Sequence, residues 1–160
     1  MKLLASKVIR KYGTNDPFEI AAKNDVIIIC EPLGNINGYF NRAHGQKFIH
    51  INDDLLPYFQ KYIVAHLLYQ AVTDPDQMMF NKRKKATRFT ETETQANMFA
   101  LNLLLSEEEL NKKSVHDVFA MFDVSEEEQE DLFARLYKLW DKEHKMTREE
   151  LLRHVLSCTR

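Results

Sequence analysis

In YIVAHLLYQAV (62–72), His66 and Gln70 stand four residues apart, the spacing at which two side chains share one face of a helix. A hydrolytic zinc site uses that spacing for two imidazoles, with a carboxylate directly after the first to take a proton from metal-bound water. Here Leu67 holds the carboxylate's position and Gln70 that of the second imidazole. Leucine accepts no proton, and a neutral amide oxygen is a weak zinc ligand beside imidazole. Taken alone, His66 in so apolar a stretch reads as a hydrogen-bonded core histidine.

Other chemistry-bearing groups are scattered. Lys82, Arg83, Lys84, Lys85 and Arg88 form a basic run that reads first as a solvated loop. It could also meet an acidic protein surface or phosphates, but no base-reading helix accompanies it, so nucleic acid is not expected as a partner. Cys30 and Cys158 match no metal-ligand spacing. Leu132, Phe133, Leu136, Tyr137 and Trp140 make an apolar stripe in the acidic C-terminal part, read as a helix packed on the domain.

The elements that must position these groups follow from periodicity and end signals. A chain of 160 residues with 44% hydrophobic content, four glycines and four prolines suits one compact domain without a long linker. The formal net charge of −2 gives no global pull toward nucleic acid or acidic membranes. No stretch has the apolar length of a membrane span, and MKLLASKVIRKYG reads as an amphipathic helix. A cytoplasmic setting is expected. Asp16, Pro17 and Glu19 mark a helix start. VIIICE then reads as a buried strand, and GNINGYFNRAHGQKFIHIND as two strands turning near His44 and Gly45. The segment from Leu55 to about Thr73, with Pro57 in its first turn, is apolar nearly all round and therefore central. TDPDQMMFNKRKKATRF reads as a connecting loop, and ETETQANMFALNLLL as the next helix, with Phe99, Leu101, Leu103 and Leu104 as core candidates. Ser106 with Glu109, Ser125 with Glu128 and Thr147 with Glu150 fit capping boxes opening further helices.

INGYF, KFIHINDDL, YIVAHLLYQAV and ETETQANMFALNLLLSEEE occur in an order and spacing that resemble the ImmA/IrrE family of metallopeptidase-like proteins, often carried by phages and mobile elements. The resemblance covers roughly residues 16–109. It matches His66 to the first zinc histidine and Glu93 to the glutamate ligand of the later helix. Leu67 then replaces the catalytic base, Tyr69 a glycine and Gln70 the second zinc histidine. Two of three protein ligands remain, a set that holds zinc weakly unless His44, His50 or Asp74 assists. The resemblance also favours contact or near-contact between Glu93 and His66, close enough to form an ion pair that keeps two helices in register without metal. Asn97 is expected to bond nearby backbone.

These readings imply an α+β fold: a mainly helical, zincin-like domain with a small antiparallel sheet. Residues 1–110 form its core, and 111–160 a helical extension packed on the same domain. The expected function is that of an inactive metallopeptidase homologue acting by protein binding on a repressor or other regulator. Its remnant zinc-site positions are His66, Gln70 and Glu93, with no catalytic residue and no cofactor expected. The alternative is an active zinc metallopeptidase with non-standard ligands, His66 and Glu93 among them.

Overall fold

A computed structural model describes residues 1–55, 57–82 and 90–105 of the chain. The expected boundary near residue 110, the three capping boxes from Ser106 onward, the stripe from Leu132 to Trp140 and most of the basic run lie outside the described residues. The described elements run α1 (Lys2–Tyr12), α2 (Pro17–Lys23), β1 (Val26–Glu31), β2 (Ile36–Ala43), β3 (Gln46–Asn52), α3 (Pro57–Thr73), β4 (Met79–Lys82) and α4 (Glu91–Leu104). The fold is α+β, as the sequence indicates.

Local signals explain most of these elements. α1 is amphipathic and buries Ala5 and Val8. α2 opens at Asp16, whose side chain accepts from the Phe18 N–H at 2.9 Å, with Pro17 first in the helix. The β2–β3 hairpin turns through His44 (φ 51°) and Gly45 (φ 79°), and two central residues with positive φ suit the right-handed strand twist.

The sheet order is β1-β3-β2-β4. β2 runs antiparallel to both β3 and β4, whereas β1 runs parallel to β3. The sheet is therefore mixed, with two of its three pairings antiparallel, in keeping with the mostly antiparallel sheet expected. The parallel pairing arises because β3 inserts between β1 and β2. Buried Asn52, at the end of β3, fastens the loop that crosses over it by donating to Gly34 O (3.2 Å) and Ile36 O (3.0 Å). Two expectations are corrected. VIIICE is an edge strand with Ile27 47% exposed, not a buried one. The loop after α3 contains β4, which pairs with β2 and sets Phe80 beside Tyr39, ring centroids 5.6 Å apart.

One sheet face packs on α3. Phe40, Ile49 and Ile51 alternate inward and are buried, while Tyr39, Phe48 and His50 lie on the other face. Gly38 marks the closest approach. A Cβ there would lie 2.6 Å from His50 O, 2.9 Å from Ile63 Cγ2 and 3.1 Å from Leu67 Cδ1. α4 packs against α3 and α1, so α3 is enclosed, with residues 62–71 all buried. Burying each large aliphatic side chain contributes roughly 1.5–3 kcal/mol, which makes α3 the organising element of the core.

Candidate functional site

Successive residues of a helix point about 100° apart, and α3 uses this to send neighbouring side chains to different layers. Ile63 and Leu67 face the sheet at Gly38, whereas Tyr62, His66 and Tyr69 reach α4. Leu67, which the resemblance matches to a catalytic base, is wholly buried.

His66 is 1% exposed, and its Nδ1 lies 2.7 Å from Asn97 Oδ1. The same amide oxygen accepts the Tyr62 hydroxyl proton. An acceptor at Nδ1 places the imidazole proton there and leaves Nε2 as a bare lone pair. Nε2 is buried and has no partner among the described residues. Burial pushes the His66 pKa down to about 4, only partly opposed by the Asn97 hydrogen bond, so the ring is neutral at neutral pH. Burial also pushes the Tyr62 hydroxyl well above its usual range, which keeps it protonated as a donor. Asn97 thus bonds side chains, not the backbone expected of it, and ties α3 to α4 through one oxygen.

Gln70 is buried, and its Nε2 donates to Asp74 O at 2.5 Å, closing the end of α3. Tyr69 donates to Gln95 Oε1 at 2.7 Å and packs on Phe99, ring centroids 5.9 Å apart. The bulk of Tyr69 therefore lies against α4. Glu93 is occupied differently from the ion pair expected of it. Its carboxylate accepts from the Thr90 N–H at 2.6 Å, and its own N–H donates to Thr90 Oγ1 at 3.1 Å. This is a capping box at the start of α4. The hydrogen-bond partner of His66 is Asn97, and Glu93 serves its own helix end.

The helpers considered from sequence sit elsewhere. His50 lies on the outer sheet face, its Nδ1 2.5 Å from a Glu31 carboxylate oxygen and its ring stacked on Tyr39 at 4.2 Å. His44 is in the exposed hairpin turn, and Asp74 gives its backbone carbonyl to Gln70. Among the described residues, no three His, Cys, Asp or Glu side chains come together as a set that could hold a metal ion. Sequence reasoning missed Tyr62 and the capping role of Thr90. Tyr62 lies one turn before His66 on the same helix face, and Thr90-x-x-Glu93 is the very signature noted at Ser106, Ser125 and Thr147.

With this geometry in place, comparison with known proteins gives the lineage. The model of the IrrE N-terminal-like domain, a peptidase family, matches residues 21–134. The chain belongs to this ImmA/IrrE family. The family match spans β1, the hairpin, α3 and α4, so His66, Leu67, Gln70 and Glu93 all lie within it. Among curated relatives, Metallopeptidase ImmA of Bacillus subtilis (strain 168) is 29% identical over 122 residues, covering 70% of this chain and 67% of that protein. Uncharacterized immunity region protein 2 of Bacillus phage phi105 is 29% identical over 107 residues, covering 66% of this chain and 68% of that protein. No solved structure matches the chain.

Proposed function

We propose that this ImmA/IrrE-family chain no longer cleaves peptides and acts by binding another protein, a repressor or other regulator, in the cytoplasm. The observation that carries the first part is Leu67. The position of the family's base holds a side chain with no proton acceptor, fully buried against Gly38 and Ile63. The ligand positions support it. Gln70 donates its amide N–H to Asp74 and offers only a neutral amide oxygen, Glu93 has one carboxylate oxygen in the α4 cap, and His66 Nε2 keeps a bare lone pair. Such a set does not fit a zinc ion, for which catalytic sites commonly supply three protein ligands. These residues are read as a degenerate zinc motif whose positions now serve packing.

The binding role rests on lineage. A relative whose name places it in a phage immunity region makes a regulator a natural partner, and loss of hydrolysis leaves recognition as the remaining function. No helix among the described residues is long and apolar enough to cross a membrane. The competing reading, a zinc peptidase with non-standard ligands, draws on the bare Nε2 of His66. Metal analysis of protein purified without chelator, together with a peptide-hydrolysis assay, decides between them. The expected result is no stoichiometric zinc and no turnover. Stoichiometric zinc lost on His66→Ala, with hydrolysis lost alongside it, would overturn the proposal. The partner is sought by co-purification from the native host.

A further inference from the structure

The two sheet edges are guarded unequally. β4 is four residues long and runs directly into the basic run that begins at Lys82. Short length and lysines are common devices against stray strand pairing. β1 has neither. It is six residues, VIIICE, with no proline, lysine or arginine, and no described strand pairs with its outer edge. Ile27 is exposed and Ile29 half-buried, on the sheet face shared with Phe48 and His50. A regular, apolar, open ladder of backbone groups is a template for another strand.

Charge at the strand ends selects among occupants. Asp25 precedes β1 and is exposed. Glu31 ends it, with Asp53 beside it through an Asp53 N–H to Glu31 O bond of 3.1 Å. A second copy pairing antiparallel must set residues of one face opposite each other. A two-fold axis at Ile28 then brings Asp25, in the left-handed turn (φ 54°) just before the strand, near Glu31, like charge beside like charge. An axis at Ile29 places apolar Ile27 against the Glu31 carboxylate. Both registers are poor, whereas a strand with basic ends complements the exposed Asp25 and the Glu31 carboxylate, which His50 Nδ1 already meets at 2.5 Å from the outer sheet face.

We propose that β1 accepts an extended segment of another protein as a fifth strand. The segment carries alternating apolar residues and a basic residue opposite Asp25 or Glu31. This inference supplies a surface for the binding role proposed above and rests on that role, but not on the state of the α3 site.

The test uses the full chain and a blocked peptide of alternating valine and threonine with lysine at both ends, against a glutamate-ended twin. Backbone amide NMR, hydrogen exchange and sedimentation supply the readouts. The lysine-ended peptide is expected to shift and protect the β1 amides. Its affinity should fall about tenfold with glutamate ends, or on combining Asp25→Asn with Glu31→Gln. Ile27→Lys, at an exposed position, should abolish binding without lowering stability. Equal binding of both peptides, or no response at β1, overturns the proposal. So does protection of β1 in the free monomer, which would mean that the chain covers its own edge. Protection that rises with protein concentration would instead identify a second copy and overturn it equally. None of these readouts measures hydrolysis, so failure here is distinguishable from failure of the inactive-site reading.

Discussion

The Nδ1 of His66 and the Oδ1 of Asn97 face each other at 2.7 Å across the contact of α3 with α4, and the Tyr62 hydroxyl shares that oxygen. One amide oxygen thereby satisfies two buried donors from a single helix. The arrangement holds the two motif helices in register with neutral groups, where an ion pair would carry a large desolvation cost.

Removing that oxygen should be expensive. Asn97→Ala leaves the Nδ1–H of His66 without its acceptor, takes from Tyr62 the bond to Oδ1 and opens a small cavity. A loss of about 3 kcal/mol is expected, read from urea denaturation at neutral pH. A change below about 0.5 kcal/mol would show that the shared acceptor does not hold the helices.

Stability should depend on pH through His66. Its folded pKa of about 4 lies below the unfolded value of 6.5, so between those pH values the unfolded chain binds the proton and the folded chain does not. The contribution is complete above pH 6.5 and is lost as pH falls toward 4, an effect of about 3 kcal/mol. His66→Gln, which cannot titrate, should show a flatter profile over that window. Equal slopes for the two proteins would remove His66 as the cause.

Glu93 offers a separation of two roles. If the carboxylate serves only the cap, Glu93→Ala costs about 1 kcal/mol, Thr90→Ala costs a similar amount, and the double variant costs less than their sum. The His66 ring resonances should stay put. A Glu93→Ala protein of unchanged stability but altered His66 resonances would return the carboxylate to the imidazole.

The Glu93 case also shows where reading residues in order reaches its limit. A glutamate at the start of a helix satisfies a capping box and a metal-site pattern equally well, because both need a carboxylate in the first turn. Only the Thr90 contacts separate them. Local signals did carry α1, the Asp16 start of α2, the turn at His44 and Gly45, and the enclosed α3, since caps, turns and periodicity are written within a few residues. β4 and the parallel placement of β1 arise from pairings with residues far along the chain. The four residues 79–82 have no strand signal strong enough to compete with the Asp- and Pro-rich segment before them. Likewise, His50 alternates with Ile49 and Ile51 as a half-buried strand requires, but its partner Glu31 comes from another strand.

The proposed degeneracy of the zinc motif can be probed by supplying one ligand. Gln70 sits one turn after His66, whose Nε2 lone pair is free, so Gln70→His places two imidazoles at zinc-binding spacing. Added zinc should then raise the melting temperature of Gln70→His and leave the wild type unmoved, and His66→Ala in the same background should cancel the gain. Hydrolysis should not accompany zinc binding, because Leu67 supplies no base. Leu67→Glu is not a simple remedy. The new carboxylate would be buried against Gly38 and Ile63, where a Cβ on Gly38 would already crowd the leucine, and a loss of about 3 kcal/mol or more is expected at neutral pH. If Leu67→Glu with Gln70→His instead folded at wild-type stability, bound zinc and cleaved peptides, the sheet-facing burial of position 67 would be no barrier to catalysis.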